Sequence, residues 1–454
     1  MPAPERGHVD TARTVAAAIF GEPGARHFDV RYWDGTIERG DRSPPAFTVV
    51  IRDPAALRMM LLPPSEVSIV ESFVSGRIDV DGDLEAAVGL GDEIGKRITR
   101  AASLARLVPV IMKLPKASAA DIRSLRFVRP EDGNAAARRG DSAAIQHHYD
   151  VGNAFYALWL DSEMLYTCAY FRTGSESLEE AQLDKLELIC RKLRLQPGER
   201  LLDIGCGWGG LVRYAASRYG VTAHGITLSE AQAEYAQSRI AAEGLGRSCR
   251  VEVRDYRDLG PPARYDKIVA VGVTEHVAAD AQPGYFAAAY RVLEPGGLFL
   301  NHCEVSLGRA RPTTLRKRVS DRLWRRNEFI EKYVFPDARL VPAAHVIGSA
   351  ESVGFELRDV ESLREHYALT LRHWLRRLEA NEQKARQLVG EHTYRVWRLY
   401  MSTGAAGFAS ARINIIQTLL ARPDASGRSR IPLTREDLYV PAASRRSNQR
   451  LPAA

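Results

Sequence analysis

The chain has no CxxC pair; its five cysteines, Cys168, Cys190, Cys206, Cys249 and Cys303, are scattered. An odd, unpatterned set argues against a disulfide framework or a zinc site and predicts reduced thiols in a cytoplasmic protein with no metal. No apolar run is long enough to span a bilayer. The start, MPAPERGHVD, lacks the basic head and apolar centre of a secretory signal. There is no internal repeat and no recognisable groove-reading or base-stacking module, so nucleic acid is not an expected partner. The net charge of +7 is a modest excess that by itself suits nucleic acid, an anionic membrane surface or nothing specific.

What is present is a 454-residue soluble composition, too long for one core, which predicts two domains. Residues 1–25 read as a loose leader with one short helical patch. FDVRYWDGTIERG alternates apolar residues around Asp34-Gly35, a hairpin signal. FTVVIRD reads as a strand, PAALRMMLL as a helix, and GRIDVDGDLEAAVGL as a turn entering an amphipathic helix near Asp83. This predicts a small α+β domain over 1–112. Residues 113–143, rich in basic residues, Ala, Pro and Gly, read as a linker.

From residue 144 to 420, strand-like runs (RLLDIGCG, TAHGITL, RVEVRDY, KIVAVGV, GLFLNHC) alternate with helical stretches at 178–193, 209–218, 229–242 and 281–292. That alternation predicts an α/β, doubly wound, Rossmann-like domain. Residues 308–345 read as a basic helical insertion, 366–402 as one long helix and 421–454 as a tail.

The clearest local signal is Leu201-Leu202-Asp203-Ile204-Gly205-Cys206-Gly207-Trp208-Gly209-Gly210. An apolar strand enters a glycine-rich turn, and the glycines let a ligand approach the main chain. The helix that follows offers free N–H groups. The spacing satisfies the dinucleotide fingerprint, but the next strand, Thr222 to Thr227, carries no ribose-binding acid before Glu230, which counts against a nicotinamide cofactor. Asp203 and Asp255-Tyr256 fall at strand ends on the ligand-binding rim. A carboxylate and an aromatic there suit an adenine; a helix or turn cap is the plain alternative.

These segments resemble the cyclopropane-fatty-acyl-phospholipid synthase and mycolic acid cyclopropane synthase family. The stretches that carry the resemblance are IQHHYDVGNAFYALWLD (145–161), MLYTCAYF (164–171), LLDIGCGWGG (201–210), GITLSEAQ (225–232), RDYRDL (254–259), VGVTEHV (271–277), IEKYVFP (330–336) and HYALTLRHW (366–374). The first domain resembles the accessory domain of the longer bacterial synthases, with a lipid-binding or dimerisation role, and a homodimer is compatible with it. The resemblance implies S-adenosylmethionine held by Tyr166, Thr167, Asp203, Gly205, Cys206, Gly207, Thr227, Gln232, Asp255 and Tyr256. Neutral Thr227 and Gln232 would account for the missing acid.

The implied reaction adds the methyl carbon to the double bond of an unsaturated acyl chain of a membrane phospholipid. The resulting carbocation loses a proton from the new methyl as the cyclopropane closes. The family's probable base is bicarbonate, and the matching positions here are Cys168, Glu275, His302 and Tyr367. Taken singly, each has a plain reading: a buried cap, a satisfied core histidine, a small buried thiol, a core tyrosine. Glu304 stands where an aliphatic residue is common in the family. If it points inward it could act as a base or repel the anion. Gly404 replaces a common cysteine and excludes a nucleophile there. The basic stretch Arg311–Arg326, with Trp324, suits lipid phosphates on the inner face of the membrane, or is a solvated helix face. Two alternatives stay open: a methylene- or methyl-branched product, and a catalytically silent lipid- or cofactor-binding protein.

Overall fold

The computed structural model describes residues 3–98, 101–117, 152–260, 264–307, 328–334 and 340–439. Most of the expected linker, the basic stretch Arg311–Arg326 and the last part of the expected tail lie outside them.

The chain forms two compact units: Met1–Trp159 with Arg309–Asp337 and Leu371–Ser410, and Leu160–Gly308 with Ala338–Thr370 and Ala411–Ala454. The division departs from the linear one expected. The helix Glu382–Ala409 packs on the helix Leu84–Ile98 of the amino-terminal segment. The reason is a buried ion pair: Arg395 donates to Asp79 at 2.6 Å and to the Phe73 carbonyl at 3.0 Å.

In the first unit, β1 (Asp29–Arg31), β2 (Ile37–Glu38), β3 (Phe47–Ile51) and β4 (Ile78–Gly82) form a sheet in the order β2-β1-β3-β4. The Asp34-Gly35 hairpin is present, with Val30 opposite Glu38. Two expectations are corrected. The loose leader is an 18-residue helix, Ala3–Phe20, whose apolar stripe Val9, Ala12, Val15, Ala16 and Ile19 is buried. The expected turn before Asp83 is strand β4, paired with β3.

The second unit is a seven-stranded sheet: β5 (Arg200–Ile204), β6 (Thr222–Thr227), β7 (Cys249–Val253), β8 (Tyr265–Val271), β9 (Leu293–Ser306), β10 (Glu356–Ser362) and β11 (Ile413–Ala421). Their order is β10-β11-β9-β8-β5-β6-β7. The five central strands are parallel, as the sequence pattern predicts. Antiparallel β10 and β11 were not expected from it. Successive residues divide between two cores. Leu201, Val269 and Leu300 pack on one face, and Leu202, Ile268 and Phe299 on the other. Helices therefore cover both faces, which is the reason these strands read as continuous apolar runs. The helices Leu178–Lys192, Gly210–Tyr219, Glu230–Ala242 and Gln282–Val292 lie within a residue or two of their expected bounds. The expected helix over 366–402 is interrupted twice, at Asn381 between Arg364–Ala380 and Glu382–Ala409, and within the latter at Gly390, whose φ of +78° is not helical.

The order in which strands are added reverses between β5 and β8, which are parallel. The path from β5 runs outward to β7, and β8 returns to β5's other side. Ligands bind at the carboxyl ends of strands flanking such a switch point.

Candidate functional site at the switch point

The glycine turn follows β5. Gly205 has φ +76°, and a Cβ there would lie 2.5 Å from Val273 Cγ2. Beside it, a Cβ on Gly225 would lie 2.7 Å from Cys206 Sγ. Both positions accept only glycine, because the backbone is packed against its neighbours. The N–H groups of Gly205 and Cys206 are already donated to the Ile226 carbonyl, at 2.9 and 3.0 Å. Those two residues therefore contribute a close approach rather than free donors. The Cys206 side chain is buried, its thiol pushed well up by desolvation, and is a packing group.

Asp203, near the end of β5, is 3% exposed. Burial pushes its carboxyl up to about 7, opposed by the Lys185 ammonium. Lys185, missing from the expected site, is itself buried and pulled down to about 8, with Asp161, Cys168 and Asp203 opposing the shift. Its Nζ donates to Thr167 Oγ1 at 2.8 Å. One helical turn earlier, Gln182 Nε2 donates to the carbonyls of Leu165 and Thr167, at 3.1 and 2.9 Å. These two side chains clamp the segment that carries Tyr166 and Thr167. The available signal was a polar pair at i and i+3 inside the buried stripe Leu178, Ala181, Leu186 and Ile189.

At the end of β6, the buried Thr227 hydroxyl donates to Gln232 Oε1 at 2.7 Å. The two expected cofactor residues thus form one neutral hydrogen-bonding pair. Asp255 lies past β7, where it caps the short helical turn Tyr256–Asp258. Its Oδ1 accepts from the Arg257 N–H at 2.8 Å and from Arg257 Nε at 2.9 Å. The capping alternative therefore holds, and Asp255's charge is already met by Arg257. The Tyr256 ring makes an edge contact with Tyr285 at 5.1 Å.

Gly272, just past β8, lies between Thr167 and the polar cluster. Its N–H donates to the His302 carbonyl at 2.9 Å. A Cβ on it would lie 3.4 Å from Thr167 Cγ2 and 3.8 Å from Glu275 Oε1. β8 and β9 pair Val271 with His302. His302 and Glu304, two apart on β9, share one face of the sheet. Cys303 between them packs in the opposite core.

His302 is fully buried, and desolvation together with Lys185 and Lys192 holds its pKa well below the ordinary value. Lys192 Nζ donates to Gln417 Oε1 at 2.8 Å, which turns the Gln417 amide nitrogen toward His302 Nδ1 at 3.4 Å. Nδ1 then accepts, so the neutral ring carries its hydrogen on Nε2. That Nε2 is buried with no hydrogen-bond partner among the described residues, and so is Glu275 Oε2. His302 Nε2 and Glu275 Oε2 thus leave a donor and an acceptor available to a ligand.

The segment Tyr166–Phe171 is tied to the helix that starts at Arg364. The Ala169 N–H donates to Thr370 Oγ1 at 3.0 Å, and the Phe171 N–H to His366 Nδ1 at 3.0 Å. Cys168 Sγ is 3.8 Å from the Leu363 carbonyl, and burial pushes its thiol up, so it is not a thiolate. Tyr367, buried on the same helix, bonds through its hydroxyl to Glu304. Glu304 faces inward. Burial raises its carboxyl above the ordinary range, and burial plus the charge of Glu304 raises Glu275. Of the expected group, Glu275, Tyr367 and Cys168 lie near a fifth group, Glu304, and His302 precedes it by two residues on β9.

S-adenosylmethionine fits the residues along this rim. Gly205 and Gly225 leave no room for a Cβ, Thr227 and Gln232 offer neutral hydrogen bonds, and Asp203 offers a buried carboxyl. Bicarbonate does not fit as a separate ion: the Tyr367 hydroxyl expected to hold it bonds to Glu304, whose carboxyl stands beside Glu275 in the same cluster.

Among the described residues no group of three or more His, Cys, Asp or Glu could hold a metal, and no helix is long and apolar enough to cross a membrane. The sequence model of the family described as "Mycolic acid cyclopropane synthetase" matches residues 136–418. The chain is 38% identical to a probable fatty acid methyltransferase of Pseudomonas putida, over 90% of this chain and 95% of that one. It is 36% identical to the cyclopropane-fatty-acyl-phospholipid synthase of Escherichia coli K12, over 61% of this chain and 67% of that one. The solved structure of mycolic acid cyclopropane synthase CmaA1 complexed with SAH and CTAB has a TM-score of 0.56 at 34% identity, covering 62% of this chain and 97% of that chain. A glycine cradle at the switch point, a polar cluster on its rim and a family match over most of the chain lead to one identification: this chain belongs to the mycolic acid cyclopropane synthase family of S-adenosylmethionine-dependent methyltransferases.

Proposed function

We propose that the protein adds a methyl carbon to the double bond of an unsaturated acyl chain of a membrane phospholipid and closes a cyclopropane ring. The observation that carries this reading is the approach of Thr167, Glu275 and the His302 carbonyl to Gly272, which joins a cofactor rim to an enclosed cluster with an open donor and acceptor. S-adenosylmethionine, when bound, supplies the electrophilic methyl. The protein's own part is to position and to stabilise. Asp203 offers its buried charge to the cofactor's cationic end. The Lys185–Thr167 and Gln182 contacts hold the Tyr166–Cys168 segment in place. An isolated alkene is a weak nucleophile, so reacting atoms must be held in line and away from water. Carboxyls and the Tyr367 oxygen then stabilise positive charge developing on the acyl chain. A phospholipid source of the acyl chain places the protein at the inner face of a membrane, bound peripherally through its basic stretch.

A methylene- or methyl-branched product is the second reading. It is favoured by relatives that match 90% and 91% of this chain being named "Probable fatty acid methyltransferase", whereas the cyclopropane synthase of Escherichia coli matches 61%. Incubation with methyl-labelled S-adenosylmethionine and vesicles of monounsaturated phospholipid, followed by mass spectrometry of the acyl chains, tests both. A labelled ring supports the first reading and a labelled exocyclic alkene or branch the second. Protein that binds the cofactor and labels no unsaturated lipid overturns both.

A further inference from the structure

Four groups were expected to hold a free anion in this cluster: Glu275, His302, Tyr367 and Cys168. Each of them neighbours Glu304. The Tyr367 hydroxyl is donated to its carboxyl. Glu275 sits within reach of its charge and of its backbone N–H. The Cys168 thiol feels the same charge. His302 precedes it by two residues on one face of β9. The strand itself is pinned on both sides, by β8 through His302 and by β11, where Ile415 stands opposite Glu304. Glu304 is thus an anion delivered by the chain, on a rigid element, to the place a dissolved one would have to occupy.

We infer, resting on the acyl-methylation reading above, that Glu304 is the base of the reaction and replaces a free anion as the proton acceptor. The step balances within the substrate and one side chain. A C–H bond of the newly added methyl breaks, its electron pair forms the C–C bond to the cationic carbon and closes the ring, and the proton goes to a Glu304 carboxyl oxygen. The proton leaves to solvent on product release. Glu275 is the partner that holds the other proton. The charge of Glu304, added to burial, raises Glu275 and favours its protonated form beside an ionised Glu304. Tyr367, donating to Glu304, fixes which of its oxygens faces the substrate.

The test compares turnover of the full-length wild-type protein in buffer stripped of carbon dioxide and in buffer with added bicarbonate, on labelled cofactor and unsaturated phospholipid vesicles. The expected result is the same rate in both, within about twofold. Glu304→Gln is expected to keep cofactor affinity and lose at least 100-fold in turnover. Glu304→Ala, which opens the space, is expected to regain turnover with added bicarbonate or formate in a saturable way. A wild-type rate that collapses on stripping and returns with bicarbonate would overturn the inference, as would near-normal turnover by Glu304→Gln. The wild-type comparison needs no variant to fold. No labelled lipid from the wild type in either buffer would instead overturn the acyl-methylation reading, and the inference with it.

Discussion

Replacing Asp203 with Asn should make the protein more stable and less able to bind its cofactor. Asp203 is almost wholly buried, and its carboxyl is raised from 3.8 to about 7, chiefly by desolvation. At about 1.4 kcal/mol per pH unit, that difference corresponds to about 4 kcal/mol of folding free energy forgone when the group is ionised. The sign follows from proton binding. Between pH 4 and 7 the folded chain keeps a proton that the unfolded chain has lost, so stability falls as pH rises through that window and is level above it. Asn carries no such penalty. Part of the gain is returned, because Lys185, itself pulled down to about 8, loses a favourable neighbour. The net stabilisation at pH 8 is expected to be roughly 1–3 kcal/mol, shrinking toward zero at pH 4. Urea unfolding of both proteins across that range measures it. Calorimetry should show cofactor affinity reduced by about 10- to 100-fold, the loss of one charge-assisted contact. A variant no more stable than wild type at pH 8, or a stability difference that does not depend on pH, would refute the reasoning.

Three other perturbations have definite directions. Gly205→Ala forces a Cβ to within 2.5 Å of Val273 and onto a backbone at φ +76°. It should cost about 1–3 kcal/mol in thermal unfolding and abolish cofactor binding by titration. Gln417→Leu removes the group that faces His302 Nδ1, freeing the ring to change tautomer. Turnover should fall about tenfold or more with cofactor affinity unchanged, and a nitrogen-resolved NMR spectrum should show both tautomers. Arg395→Met removes the most buried of Asp79's three arginine partners, leaving Arg52 and Arg398, and should destabilise the first unit by about 1–2 kcal/mol, seen as faster proteolysis of that unit.

Local pattern made much of the second unit legible. Runs such as RLLDIGCG are apolar on consecutive residues because both faces of a parallel sheet are covered, and Leu201 and Leu202 do enter opposite cores. The strands β10 and β11 escaped notice for the complementary reason. β10 alternates half-buried and exposed residues at a sheet edge, and β11 follows a long helix with no turn signal between them. Asp255 shows a second limit. Its place on the rim was readable, but its capture by Arg257 two residues on was not, since both a cap and a ligand contact use the same carboxylate.

By itself the sequence determined where a ligand can approach the backbone, because glycines at a strand–helix turn impose that locally. It also determined the doubly wound order, through the alternation of buried strands and amphipathic helices. Only the tertiary structure decided how the polar groups are used. Lys185 reaches Thr167 from a helix further along the chain, Lys192 and Gln417 choose the tautomer of His302 from a helix and an antiparallel strand, and Tyr367 meets Glu304 across more than sixty positions of chain. Spacing along a chain encodes which face a side chain shares, but the charge and proton of a buried group depend on whatever else is folded against it.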